Sequence, residues 1–140
     1  MLNRQQRPDP SGLCFVFQIH VLQNHEQQKM TTKTEQIRTL NDQLRANLSP
    51  SDGTALMTMG VAALGEEAVA RIFKTITVYD DFCNDNDPHG EHDFGALEAE
   101  GHTIFFKIDY LDQQLKYHSP DPTDPAVTVR VITVMLADEY

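Results

Sequence analysis

The sequence is poor in the residues that build disulfide-linked or metal-linked scaffolds. Its two cysteines, Cys14 and Cys83, cannot form a disulfide framework, and neither stands in a CxxC or other metal-binding spacing. Polar residues interrupt every long apolar stretch well before the roughly 20 residues that a membrane-spanning helix requires. These absences argue against a disulfide-rich secreted protein. They predict a cytoplasmic protein that does not enter a membrane.

Basic residues are scarce, because 11 Lys and Arg stand against 21 Asp and Glu and leave a formal net charge of -10. This charge disfavours affinity for phosphate backbones, so we expect no direct nucleic-acid binding. Residues 80–124 hold twelve acidic residues but only Lys107 and Lys116 as basic ones. A field of this sign attracts a basic surface on another protein, which is the partner we expect. The alternative is that the acidic residues serve solubility alone.

Motifs of well-known reactions are also missing. The glycines form neither the GxGxxG nor the GxxxxGK[ST] pattern that cradles phosphate groups. No nucleophile is indicated, because Ser119 lies between the last predicted strand and a proline-rich turn, and Cys83 has acidic rather than basic neighbours. The sequence therefore favours a protein that is not an enzyme.

The first 29 residues differ in composition from the rest of the chain. Residues 1–30 carry three basic and two acidic residues, whereas residues 31–140 carry eight and nineteen. The total of 140 residues suits one domain with a single core. We predict that residues 1–29 are a poorly ordered N-terminal extension, and that residues 30–140 form a single α+β domain. An added β-strand built on Phe15, Phe17 and Ile19 is the alternative for the extension.

Apolar residues recur at helical spacing in the domain. A helix is predicted over residues 34–48, with an apolar stripe formed by Ile37, Leu40, Leu44 and Leu48. A second helix is predicted after Gly65, with an apolar face of Val69, Ile72, Phe73 and Ile76. For the C-terminal segment, Asp124 as N-cap and Pro125 at the first helical position favour a third helix that runs to about Asp138. In the same segment, Val127, Val129 and Val131 alternate with polar residues, so a strand is the alternative.

A small, mostly antiparallel sheet is predicted from a strand at 54–59 and a three-stranded meander over residues 91–118. Glu100 and Gly101 form its first predicted turn, while Leu115 and Tyr117 are assigned to its third strand. A two-residue turn sets the register of the first two strands. The predicted pairs are Leu97 with Ile104, Gly95 with Phe106, Phe94 with Lys107, and His92 with Asp109.

The segment from Asn84 to Gly95 concentrates the side chains that could support chemistry. Asp85, Asp87 and Gly90 fall on positions one, three and six of a calcium-loop pattern, but His89 and Ala96 occupy positions that need other ligands. A transition-metal site formed by Asp85, Asp87, His89 and His92 is the metal alternative. Otherwise, Asp85 and Asp87 cap turns by accepting backbone N–H groups. We expect no cofactor, with a divalent metal as the alternative.

General acid–base chemistry is another possible role for this region. His92 would carry the proton, Asp109 would orient its imidazole, and Lys107 would act as an electrophile. The structural alternative is a His–Asp pair that only fixes the strand register. These three residues are the catalytic candidates.

Several segments resemble the bacterial domain-of-unknown-function family 3768, whose small proteins occur mainly in proteobacteria and often on mobile elements. The resemblance covers about residues 33–140 and is carried by Ile37–Asp42, Gly60–Leu64, Asp80–Phe82, Asn86–Gly95, Lys107–Tyr110, Ser119–Pro122 and Met135–Tyr140. It implies no established activity. Residues at its motif positions, which are the interaction candidates, are Asp87, Gly90, Glu91, His92, Asp93, Lys107 and Asp109.

Together these observations predict a non-enzymatic interaction module that acts through an acidic surface. The resemblance points to a mobile-element accessory or defence-blocking protein. The alternative is a small enzyme or metal-binding protein centred on the 86–95 loop and the Lys107–Tyr110 strand.

Overall fold

A computed structural model describes residues 31–140 of the chain. The predicted extension at residues 1–29 lies outside the described residues. The helices and strands follow in the order α1 (Lys33–Asn47), β1 (Thr54–Met57), α2 (Met59–Ala62), α3 (Glu66–Thr77), β2 (Phe94–Ala99), β3 (His102–Leu111) and β4 (Val129–Leu136), with a final 3-10 turn at Ala137–Glu139. Among these described helices, none has the length and apolar character needed to cross a membrane.

The four strands form one sheet in the order β1-β4-β3-β2. β2, β3 and β4 are antiparallel, whereas β1 runs parallel to β4. The predicted α+β class with a mostly antiparallel sheet is confirmed, since two of the three strand pairings are antiparallel and one is parallel. A parallel neighbour requires a long crossover connection, which here consists of the entire chain between β1 and β4.

The β2–β3 hairpin has the register predicted from its turn. Phe94 pairs with Lys107, Gly95 with Phe106, and Leu97 with Ile104. Glu100 and Gly101 both have positive φ angles, 56° and 78°, as a tight hairpin turn requires. Gly95 is needed for packing, because a Cβ atom at this position would collide with the Phe106 ring and approach the Tyr79 ring within 2.8 Å.

α1 begins and ends with regular caps and buries the predicted stripe. Thr32 and Glu35 form a capping box, in which each backbone N–H donates to the other residue's side chain at 3.1 Å. At the other end, Leu48 adopts the left-handed conformation and its N–H donates to the Leu44 carbonyl at 2.7 Å. Helices α1 and α3 cover one face of the sheet, and their fully buried side chains there include Leu44, Ile72 and Ile76.

The predicted C-terminal helix is wrong, because residues 129–136 form strand β4 between β1 and β3. Pro125 precedes the strand in a turn and starts no helix. The β-branched residues of this segment suit a strand that is paired on both sides. The described residues do contain a helix besides the two predicted ones, the short α2, which lies between β1 and α3. Its N-cap Thr58 accepts a hydrogen bond from the Val61 N–H.

The predicted third strand of the meander is also wrong. Leu115 and Tyr117 lie in an exposed turn, with exposed fractions of 58% and 72%, and a single bridge joins Leu111 to His118. The Asp112 carboxylate holds this turn by accepting the backbone N–H groups of Gln114 and Lys116. β4 takes the predicted place beside β3, because its eight pairs with β3 bury a longer apolar strand.

Candidate functional site

Polar side chains of α1 hold three consecutive residues of the loop that precedes β2. They lie on one helix face because residues three and four apart in a helix are neighbours. We call these contacts the loop–helix junction: Arg38 Nη1 donates to the Gly90 carbonyl at 3.0 Å, Asn41 Nδ2 donates to the Glu91 carbonyl at 3.0 Å, and Asp42 Oδ1 lies 2.8 Å from His92 Nδ1.

His92 lies at the centre of the loop–helix junction, and its side chain is 16% exposed. Its ring stacks on Phe82 with a centroid separation of 3.9 Å and an interplanar angle of 6°. Nδ1 is 2.8 Å from the Asp42 carboxylate, and Nε2 is 3.8 Å from the Asp87 carboxylate. The imidazole is therefore held between two carboxylates and an aromatic ring.

Asp87 shapes the backbone of this loop. Its Oδ1 accepts hydrogen bonds from the N–H groups of Glu91 at 3.0 Å and His92 at 3.1 Å, and the residue is buried. Gly90 and His92 have positive φ angles of 73° and 59°. A non-glycine residue rarely adopts this conformation, so the contacts of His92 compensate for a local backbone cost.

The predicted pairing of His92 with Asp109 is wrong. β2 begins at Phe94, and the last backbone contact before it is the Ile108 N–H donating to the Asp93 carbonyl at 2.9 Å. The left-handed turn at His92 directs its ring to α1. Lys107 and Asp109 instead contact each other at 3.1 Å, on the sheet face opposite the buried Phe106 and Ile108. The structure does not bring together the three catalytic candidates.

Glu91 is part of a second polar network beneath the junction. The Tyr110 hydroxyl donates to Glu91 Oε1 at 2.7 Å and accepts from Asn41 Nδ2 at 2.8 Å. Asn41 Oδ1 accepts from Arg130 Nε at 2.8 Å, and Arg130 also donates to the Pro122 carbonyl. Burial and the hydrogen bond to Glu91 raise the pKa of Tyr110, while burial lowers the pKa of Arg130. These groups are mutually satisfied and rigid.

Arg45 completes the junction at the far end of α1. Its guanidinium lies 5.0 Å from the centre of the Phe82 ring, and Nη1 contacts Asp42 at 2.9 Å. Burial alone would raise the pKa of Asp42, but hydrogen bonds from His92 and Arg45 outweigh burial and lower it. Asp42 is thus held as a carboxylate.

Sequence reasoning missed the α1 half of the site. The available signal was the placement of polar residues on a buried helical stripe. Asn41 and Arg45 follow Ile37 by four and eight residues, so both lie on its face. Polar side chains at such positions need partners inside the protein.

An open cavity of about 290 Å³ lies beside the junction, at the end of β3. The side chains of Asp93, Asp109, Lys116, Tyr117 and His118 are among those that line it. Burial raises the pKa of Asp93, and the charges of Glu91 and Asp87 add to this effect. Asp93 and Asp109, which are two of the motif positions, line the cavity on one side. The turn that contains Lys116 and Tyr117, which was predicted to be a strand, lines it as well.

The metal candidates do not converge. Across residues 31–140, no three His, Cys, Asp or Glu side chains are placed to hold one ion. Asp85 and His89 are exposed, whereas Asp87 and His92 face the loop–helix junction.

Residues 57–139 match the family model described as "Protein of unknown function (DUF3768)". The match covers more than half of the chain. The chain belongs to the DUF3768 family. Neither a curated protein nor a solved structure matches it. The residues matched to DUF3768 contain the loop between α3 and β2 and the strands β2 to β4. Helix α1, which carries Asn41 and Asp42, precedes the matched residues.

Proposed function

We propose that this DUF3768 protein is a non-enzymatic interaction module that binds a basic surface on another protein. The observation that carries the proposal is the loop–helix junction, in which His92 contacts both Asp87 of the loop and Asp42 of α1. The polar groups of these side chains already have partners within the protein. The exposed side chains that remain on the loop include the acidic residues Asp80 and Asp85.

The distribution of charge supports this function. Residues 75–106 contain eight acidic residues and no Lys or Arg. Asp80 and Asp85 are exposed on the loop between α3 and β2. Of the two arginines that α1 brings to the loop, Arg45 is paired with the Asp42 carboxylate, whereas Arg38 donates to the Gly90 carbonyl and keeps its positive charge. We define the acidic surface as Asp80 and Asp85, which lie on the loop between α3 and β2.

The acidic surface suits partners that expose clustered lysines and arginines. Proteins that bind nucleic acids carry such clusters, and the mobile-element association implied by the family resemblance makes them the proposed class. On this proposal, the acidic surface occupies a site that nucleic acid would otherwise fill.

Binding of immobilised protein to three peptide sets of equal length, one basic, one neutral and one acidic, tests the proposal. The expected result is binding of the basic set alone, with affinity that falls as salt rises. The double variant Asp80→Asn/Asp85→Asn should bind more weakly. Glu66→Gln/Glu67→Gln removes the same charge from exposed positions on α3 and is the matched control. Equal losses in the two variants, or binding that ignores salt, would contradict the proposal.

A second candidate function is ligand binding or acid–base chemistry in the cavity at the end of β3. The supporting observation is that Asp93, with its raised pKa, lines this cavity together with Asp109 and His118. Ligand-detected NMR with a small-molecule library tests it. Saturable binding that Asp93→Asn abolishes and Asp85→Asn, at an exposed position outside the cavity lining, retains would favour this function over the interaction module.

A further inference from the structure

The two edges of the sheet differ in how they are protected. At the β2 edge, the Ala96 N–H donates to the Tyr79 hydroxyl at 3.3 Å. Glu98 lies on the same strand, and Glu100 in the adjacent turn forms a salt bridge with Arg71. Side-chain capping and charge are the devices by which proteins prevent an edge from pairing with another strand.

In the part of the chain that the structure describes, strand β1 itself carries neither device. Every residue of Thr54–Met57 is exposed, and Leu56, Met57 and Met59 have exposed fractions of 50%, 45% and 86%. The Thr58 N–H donates to the Val134 carbonyl, so alternation along the strand directs the backbone groups of Ala55 and Met57 away from β4. Within residues 31–140, no strand pairs with that side of β1.

The scarcity of charge along the β1 edge indicates which kind of partner can bind there. Residues 53–65 contain no charged residue, although the described chain carries eight basic and nineteen acidic residues. The Glu139 carboxylate contacts this segment and is held there by the Thr58 hydroxyl and the Gly60 N–H. A basic partner gains little attraction from this edge, because β1 is uncharged and the Glu139 carboxylate at its end is already held by two donors. A second copy, which is repelled elsewhere by its own negative charge, meets the least repulsion here.

We propose that the β1 edges of two copies pair antiparallel about a two-fold axis, so that the two sheets become one. An interface on a two-fold axis must be complementary to itself. An uncharged apolar strand with outward N–H and C=O groups meets this condition. The inference is independent of the acidic surface, which lies on the loop between α3 and β2.

Sedimentation velocity of the full chain over a wide concentration range tests this inference. The expected result is a rise from the monomer mass of 15.9 kDa to twice that value. Added salt should tighten the dimer, because it screens repulsion between two acidic copies. The opposite salt response is expected for a basic partner, so the two proposals can fail separately.

Substitutions locate the interface. Leu56→Lys introduces a charge on β1 and should weaken dimerisation by at least about tenfold. Val78→Lys places the same charge on a residue that is 74% exposed at the end of α3, and should have no effect. Ala55→Pro removes an outward N–H without removing a bond to β4, and provides a second test if Leu56→Lys fails to fold.

Amide hydrogen exchange gives the decisive readout. Ala55 and Met57 should gain protection as the dimer forms, whereas Leu56 should be protected by β4 at every concentration. A chain that stays monomeric at high concentration and high salt would overturn the proposal. Protection of Ala55 and Met57 at monomer mass, or equal effects of Leu56→Lys and Val78→Lys, would overturn it as well.

Discussion

The Asp42 carboxylate on α1 contacts the His92 ring nitrogen at 2.8 Å across a separation of 50 residues. This contact joins a helix to a loop whose backbone is in a left-handed conformation at His92. The pair is therefore positioned to stabilise the fold.

Asp42→Asn should destabilise the protein by about 1 kcal/mol at neutral pH, a value reduced for the partial exposure of the carboxylate. The pKa of Asp42 is lowered from its ordinary value of 3.8. Its contribution to stability is therefore present above about pH 4 and is lost as the pH falls through the folded-state pKa. Urea unfolding of both proteins at neutral and acidic pH measures this difference. A destabilisation that persists unchanged at acidic pH would contradict the assignment, and Asp52→Asn is the matched control.

Asp93→Asn should stabilise the protein at neutral pH. Because the pKa of Asp93 is raised in the fold, the native state prefers the protonated acid, and stability falls as the pH rises from the unfolded-state pKa through the folded-state pKa. The advantage of Asn should therefore disappear below about pH 4, where both states bind the proton. Unfolding free energies measured across this range test the sign. A variant that is less stable than the wild type at neutral pH would show that the Asp93 charge is compensated.

Asn41→Ala should cost about 2 to 4 kcal/mol, since it leaves Arg130 Nε and the Tyr110 hydroxyl with one partner fewer inside the protein. Chemical denaturation provides the measurement. Asn47→Ala, at an exposed position of the same helix, is the control and should be nearly neutral. Similar costs at both positions would mean that helix propensity, rather than the network, sets the effect.

Gly95→Ala should cost about 1 to 3 kcal/mol, because the added methyl group collides with the Phe106 ring. Phe106→Leu alone should also destabilise the core. In the double variant the smaller side chain gives the methyl group space, so the double-mutant cycle should show a favourable coupling. Additive costs would contradict close packing between these residues.

Lys107→Ala should change stability by less than about 1 kcal/mol, because its pair with Asp109 is solvent-exposed. Basic-peptide binding should not weaken in this variant, since Lys107 is not part of the acidic surface. Thermal unfolding and the peptide assay together check both expectations. Loss of binding with an intact fold would move the interaction site to the outer face of the sheet.

Local patterns predicted those parts of the fold that depend on neighbouring residues. The stripe from Ile37 to Leu48 predicted α1, and Glu100 with Gly101 predicted the hairpin register down to the contact between Gly95 and Phe106. β4 was missed because Asp124 and Pro125 are good helix-start residues. Its conformation is decided instead by β1 and β3, which are remote in sequence.

The site was predicted from one side only. His92, Asp87 and Glu91 were selected because they are chemically capable residues in a short loop. Their partners, Asp42, Asn41 and Tyr110, are contributed by α1 and β3 at distances along the chain that no motif records. The hairpin register, if continued beyond β2, predicts Asp109 as the partner of His92. The register does not continue there, because the backbone of His92 is in the left-handed conformation.

The central position of β4 also affects how the sheet is assembled on the ribosome. β1 leaves the ribosomal exit tunnel long before its neighbour β4 is synthesised. β2 and β3, by contrast, can pair as soon as the turn between them emerges. A nascent chain halted before residue 129 would therefore display an unpaired β1 on one side of the position that β4 fills and an open edge of β3 on the other. Quality-control proteases and chaperones act on exposed segments of this kind.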